Sequence, residues 1–206
     1  MHDAESCWKC GEPSAQSLFC RFCNTLQAPS SDYYRFLGLE RRLSLDPDDL
    51  QRRFYSLSRL VHPDRYLRSA ANEQRFALEA TALLNDAYRT LRDPVARAEY
   101  FLKEEGFDSG GQKSNNVPPE MLEEVFDLNE ALEELRGGDP SVRPQLEAAR
   151  RRFRSLREDV DGDLEARFRE YDRGRQREIL GKIRALLNRR RYIENLLHDV
   201  ERELMN

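Results

Sequence analysis

Asp46 to Pro94 read DPDDLQRRFYSLSRLVHPDRYLRSAANEQRFALEATALLNDAYRTLRDP, and this stretch decides the fold. Asp46 can cap a helix, Pro47 suits a first turn that needs no N–H donor there, and Asp48 meets the positive end of the dipole. Leu50, Phe54, Leu57, Leu60 and Val61 then return with helical spacing, while Arg52, Arg53 and Arg59 take the opposite face. Pro63 biases His62 away from the helical region, so the helix ends there. A second helix carries Phe76, Ala80, Leu83, Leu84, Ala87, Tyr88 and Leu91. Two helices joined by a short loop pair antiparallel and hide these stripes against each other. The segment from Tyr33 to Leu39 supplies further apolar residues to cap the pair.

Toward the N-terminus, residues 1–28 hold all four cysteines: Cys7-x2-Cys10, nine residues, then Cys20-x2-Cys23. Each CxxC turn aims two thiolates at one point, and two such turns supply the four soft ligands that tetrahedral zinc accepts. Four thiolates leave no position for water, so the expected role is structural. An iron ion in a rubredoxin-like site is the rival metal. Two disulfides or a redox-active CxxC are the alternatives without metal, and His2 is a spare ligand or a plain terminal residue. So short a segment has almost no core, so its folding energy has to come from the ion. The stripes of the helical segments look complete without it, which predicts that the module is dispensable for their folding.

Toward the C-terminus, residues 108–119, DSGGQKSNNVPP, read as a linker. Residues 120–206 read as three helices. Met121, Val125, Leu128, Leu132 and Leu135 stripe the first; Leu146, Ala149, Phe153, Leu156 and Val160 stripe the second. Gly162 marks a break or bend before Leu164 and Phe168. The last helix carries Ile179, Ile183, Leu186, Ile193, Leu197, Val200 and Leu204. The expected fold is therefore all-α: a helical hairpin over residues 32–107, the linker, and a three-helix bundle, with the small metal module in front. Leu122 and Phe126 lie one residue off the first stripe, in an i+4 row with Glu130 and Glu134. They either form a docking ridge with an acidic end or widen the buried stripe, and periodicity leaves the two equal.

Charged residues make up 35% of the 206, which suits thin helical modules with wide solvated faces. A net charge of −4 does not point to nucleic acid. No apolar run approaches the ~20 residues that cross a bilayer. The N-terminus lacks the apolar stretch of a secretory signal and, with His2, Asp3 and Glu5, is a poor transit peptide. The expected location is a bacterial cytoplasm, or the mitochondrial matrix if a leader was removed. His62 and Asp64 could be a catalytic pair, yet no nucleophile, second base or phosphate-binding glycine loop accompanies them, so no enzyme is expected. Residues 50–68 hold five arginines against one aspartate, a patch suited to an acidic partner.

The short DYYRFLGL helix, the basic second helix, the HPD tripeptide and the NDAYRTLRDP ending together resemble a J-domain. ARAEYFLKEEGF resembles the continuation found in HscB-type co-chaperones, where it leads into a second helical domain. The resemblance implies that His62, Pro63 and Asp64, with Arg52, Arg53 and Arg59, engage a DnaK/HscA-type ATPase and bias it toward hydrolysis. Aligning MLEEVFDLNEALEEL and RRYIENL with the family's segments gives Leu122, Phe126, Asp127, Glu130, Glu134 and Tyr192 as the surface for an IscU-type iron–sulfur scaffold. Glu123 stands where that row has an apolar residue, which bears on affinity. The cysteine pattern (CWxCG, then FCxxC) resembles the module of animal mitochondrial members, whereas familiar bacterial members lack it. The implied function is a co-chaperone for iron–sulfur cluster assembly that holds structural zinc, with a homodimer left open. A general J-protein for unfolded clients and a CxxC thiol oxidoreductase are the rivals.

Overall fold

Side-chain caps open the first two helices. The Asp32 carboxylate accepts from the N–H groups of Tyr34 and Arg35 and opens α1, Tyr33–Phe36. Asp46 accepts from Asp48 and opens α2, Pro47–Val61. His62 leaves the helical region at ψ 127°, as a residue before proline does. A 3-10 turn, Pro63–Tyr66, then leads to α3, Ala71–Arg92, and α4, Pro94–Glu104. The computed structural model describes residues 6–13, 17–107 and 122–205. His2, the 108–119 linker and Met121 lie outside them. The chain divides into two compact units, Met1–Tyr100 and Phe101–Asn206.

In the first unit α2 and α3 form the expected hairpin. Leu50 and Val61 are buried on α2, and Phe76, Ala77, Ala80, Leu84, Ala87 and Leu91 on α3. The Phe54 and Tyr88 rings stack across the pair at 4.3 Å. Leu60, expected in the same stripe, stays 41% exposed. Adjacent residues on a helix point about 100° apart, and Val61 takes the inward position. Arg97 is buried, yet its guanidinium is satisfied by the carbonyls of Leu43 at 2.7 Å and Leu91 at 2.5 Å, which ties α4 to the loop before α2.

The second unit contains α5, Leu122–Arg136; a 3-10 turn, Pro140–Val142; α6, Arg143–Gly174; and α7, Arg177–Met205. The sense reverses between α6 and α7 at Arg175, which takes the left-handed conformation at φ 52°. Val125, Leu128 and Leu132 of α5, Phe153, Val160, Leu164 and Phe168 of α6, and Ile183, Ile193, Leu197 and Val200 of α7 are buried. These are the three expected stripes. Leu180, Leu187 and Leu196 are buried too, so α7 is apolar around more of its circumference than its stripe suggested. Phe101 meets the Tyr171 ring edge-on at 5.4 Å, and Arg184 donates to the Phe107 carbonyl at 3.0 Å.

Gly162 does not break the second bundle helix. α6 runs through it without interruption from Arg143 to Gly174. Phe153 and Val160 before the glycine and Leu164, Phe168 and Tyr171 after it lie on one buried face. Continuous burial on both sides outweighs the ~1 kcal/mol by which glycine disfavours a helix relative to alanine.

Candidate metal centre and docking surfaces

The two CxxC segments fold as matching turns. Gly11 N–H donates to the Cys7 carbonyl at 2.9 Å, and Asn24 N–H to the Cys20 carbonyl at 2.8 Å. Both turns close on a left-handed residue, Gly11 at φ 76° and Asn24 at φ 52°. An isolated antiparallel bridge flanks each, Ser6 with Pro13 and Phe19 with Leu26. The turns face each other and bring all four sulfurs within 4.8 Å of one another. Cys7 Sγ lies 3.6 Å from Cys23 Sγ, and Cys10 Sγ 3.7 Å from Cys20 Sγ. A tetrahedron of ~2.3 Å metal–sulfur bonds has edges of about 3.8 Å, so this donor set fits a closed four-thiolate metal site. All four cysteines are free.

The sulfurs have polar support. Lys9 N–H and the buried Gln27 amide each donate to Cys7 Sγ at 3.4 Å, and Gln27 also reaches the Thr25 carbonyl at 2.8 Å. Hydrogen bonding with the Thr25 hydroxyl and main chain holds the Cys23 thiol down at about 6. Cys10, against the pull of its main-chain hydrogen bond at Glu12, is pushed up to about 12 by burial and by the hydrogen bonds it shares with the other three thiols.

The module is not the independent appendage that the sequence suggested. Leu26 has no exposed surface and forms one apolar cluster with Phe76 and Ala77 of α3. Trp8, Leu18, Phe19 and Tyr66 pack around it. Trp8 Nε1 donates to the Leu26 carbonyl at 2.8 Å, and Leu26 N–H to the Glu73 carboxylate at 3.4 Å. The start of α3 therefore has an apolar face that the cysteine module covers. Trp8, Leu26, Gln27 and Tyr66 were not singled out from the sequence. The one available signal was the density of large apolar residues in a segment too short to bury them alone.

The HPD turn lies open to solvent. Asp64 N–H donates to His62 Nδ1 at 3.3 Å, Arg65 N–H to the His62 carbonyl at 3.0 Å, and the Asp64 carboxylate is 3.6 Å from His62 Nδ1. The side chains of His62 and Asp64 are 55% and 78% exposed. Pro63 is half-buried beneath them. Leu60 and Leu67, both exposed, flank the turn. The Tyr66 hydroxyl donates back to the Leu60 carbonyl at 3.0 Å, and burial pushes its pKa up. Arg52 and Arg59 lie exposed on α2. Arg53 is engaged differently: it pairs with Asp49 at 2.8 Å and donates to the carbonyls of Leu37, at 3.3 Å, and Gly38. Gly38 has φ 65°, and a Cβ there would stand 3.1 Å from the Arg53 guanidinium, so this contact needs glycine. Arg53 above all, and Arg52, which pairs with the same carboxylate at 3.3 Å, hold Asp49 below its usual range.

On α5, Leu122 is 55% and Phe126 68% exposed. They do not widen the buried stripe, which Val125, Leu128, Ala131 and Leu132 complete. Asp127, Glu130 and Glu134 are exposed on the same helix. Arg152 of α6 pairs with Glu124, and Arg136 with Glu203 of α7 at 2.9 Å, which fixes α5 on the other two helices. Tyr192 is half-buried on α7, and burial raises its pKa. Among the described residues it makes no hydrogen bond or ring contact with the ridge.

Residues 32–100 match the DnaJ domain family, and residues 117–201 match the HSCB C-terminal oligomerisation domain. The human iron–sulfur cluster co-chaperone protein HscB is 31% identical over 192 residues, covering 88% of this chain and 78% of its own length. This chain belongs to the HscB co-chaperone family. The HscB homologue of Bordetella pertussis is 35% identical over 137 residues, 64% of this chain and 80% of that protein. The crystal structure of human HscB superposes with a TM-score of 0.74 at 26% identity and covers 96% of this chain and 97% of its own. The DnaJ match takes in α1 to α3 and the HPD turn, and the second HscB domain takes in α5, α6 and most of α7. Neither family match includes the cysteines, whereas the human HscB fold spans nearly the whole chain.

Proposed function

We propose that this chain serves iron–sulfur cluster assembly as a two-ended adaptor. The first unit presents His62, Pro63 and Asp64, flanked by Arg52 and Arg59, to a DnaK/HscA-type chaperone and stimulates its ATP hydrolysis. The second unit presents Leu122 and Phe126, with Asp127, Glu130, Glu134 and Tyr192 around them, to an IscU-type scaffold. The chain catalyses nothing itself. By holding client and chaperone at once it raises their effective concentration. The name of the human relative, an iron–sulfur cluster co-chaperone, supports the cluster-assembly context.

One observation carries the adaptor reading: the residues with the most distinctive chemistry lie open to solvent. The Asp64 side chain is 78% exposed and Phe126 68%. A general acid–base pair works in a site that excludes water, and an aromatic ring of a bundle packs inward; neither holds here. Both exposed groups suit contact with another protein. We further propose that Cys7, Cys10, Cys20 and Cys23 hold one structural zinc ion. Ligation by four thiolates suits a reducing compartment, a bacterial cytoplasm or the mitochondrial matrix.

Titration of the purified chain with an IscU-type scaffold and an ATP-loaded DnaK-type chaperone tests the proposal. Both should bind together, giving a ternary complex with one copy of this chain. Mutually exclusive binding would rule out the adaptor.

A further inference from the structure

We propose that the cysteine module is a support for the HPD turn and that Tyr66 is the positioning residue through which it acts. This rests on the reading of the turn as the chaperone contact. Pro63–Tyr66 is one short 3-10 turn, a form with poor hydrogen-bond geometry of its own. At its two ends the main-chain bonds are Arg65 N–H to the His62 carbonyl at 3.0 Å and Ser69 N–H to the Tyr66 carbonyl at 2.9 Å. The His62 side chain caps the turn by accepting from Asp64 N–H, but His62 and Asp64 are otherwise open to solvent. Thr81 holds the Val61 carbonyl before the turn and Gln74 the Leu67 and Ser69 carbonyls after it, and Tyr66 is the residue of the turn itself that ties it to the rest of the unit.

Tyr66 closes it from both ends. Its hydroxyl reaches over the turn to the Leu60 carbonyl in the last turn of α2. Its ring leans on the cluster formed by Leu26, Phe76 and Ala77. Leu26 belongs to the module, and Trp8 holds it there through its indole N–H. Trp8 follows Cys7, and Leu26 lies just beyond Cys23. An ion that fixes the positions of Cys7 and Cys23 thereby fixes the surface on which the Tyr66 ring rests. Loss of the ion removes the main source of order in a segment with two isolated bridges and almost no core of its own. The ring then loses one of its two supports, and the HPD turn gains conformational freedom. Metal occupancy in this way sets how well the turn is organised for its partner, while the second unit is untouched.

Amide hydrogen exchange of the full chain tests this directly, with chaperone ATPase stimulation and scaffold affinity measured alongside. Four samples are needed: zinc-loaded protein, protein stripped with a chelator under reducing conditions, zinc-loaded Leu26→Ala, and zinc-loaded Tyr66→Phe. Stripping should speed exchange over residues 60–67 on the order of tenfold and leave α6 and α7 unchanged. It should weaken ATPase stimulation and leave scaffold affinity as it was. Leu26→Ala should reproduce the faster exchange with its zinc still bound, and Tyr66→Phe should give a smaller increase in the same segment. If Leu26→Ala opens α3 as well, Leu26→Val, a milder truncation, takes its place. Normal exchange over residues 60–67 in the stripped protein, or in a zinc-bound Leu26 variant, would overturn the proposal. Failure of the zinc-loaded wild-type chain to stimulate any ATPase would overturn the chaperone reading instead, and the exchange data would still decide the coupling.

Discussion

Leu26 of the cysteine module has no exposed surface because it packs in one cluster with Phe76 of α3. The contact makes the module part of the core of the first unit. Truncating a fully buried leucine costs about 2–5 kcal/mol. Zinc-loaded Leu26→Ala should therefore melt at a clearly lower temperature than the wild type by calorimetry. A chain beginning at Ser31 should remain helical but show the same loss. An unchanged melting temperature in both would mean that the cluster contributes nothing to stability.

Metal binding should strengthen as pH rises. The ligands are thiolates, so each thiol that enters protonated must release a proton to the solvent. Cys10, pushed up to about 12, is protonated throughout the neutral range. Cys23, held at about 6, adds a further proton only below that pH. The apparent zinc affinity should rise about tenfold or more per pH unit between 6.5 and 8, and fall more steeply below 6. Competition with a chromophoric chelator at several pH values measures this. A flat profile would contradict thiolate ligation.

Gly162→Ala should stabilise the second unit. The glycine is exposed in the middle of α6, and a Cβ added there meets no atom within 4 Å. Alanine gains about 0.5–1 kcal/mol from helix propensity alone. A denaturant titration should show a higher midpoint with an unchanged slope. A lower midpoint would mean that the site needs glycine for a reason other than local conformation.

The parts of this protein that were legible in the sequence are those set by local chemistry. Pro63 ends α2 through sterics with its immediate neighbour, and the Asp46 cap is just as local. The CxxC pairs need only their own turns. Periodicity found all three bundle helices, yet it could not decide whether Leu122 and Phe126 face inward, because a stripe two residues wide is compatible with both. What escaped the sequence is tertiary. Leu26 and Tyr66 are single apolar residues in irregular segments and carry no period. Arg53 reads as a solvated charge, and its bond to the Gly38 carbonyl exists only because the loop after α1 folds back onto α2. Gly162 was misread because a helix breaker was weighed without the buried face that continues on either side of it.

Phe126→Ala should separate binding from stability. The ring is 68% exposed, so its loss removes little from the bundle core and should barely move the melting temperature. An anchor at the centre of a protein interface costs ~2 kcal/mol or more when truncated. Scaffold affinity should therefore fall by roughly thirtyfold or more, and by less for Glu134→Ala at the exposed rim. A large melting shift with unchanged affinity would show that the ridge is not the client surface.

The central claim is that one chain joins two proteins through separate surfaces. The most direct test is steady-state ATP hydrolysis by a DnaK-type chaperone, with an IscU-type scaffold present, on adding wild type, His62→Gln or Phe126→Ala. Wild type should accelerate hydrolysis most, and the scaffold should add to the effect. His62→Gln should lose the stimulation while binding the scaffold normally, because the turn and the ridge lie on different units. Phe126→Ala should keep the scaffold-independent part and lose the scaffold's contribution. Equal stimulation by wild type and His62→Gln would contradict the account.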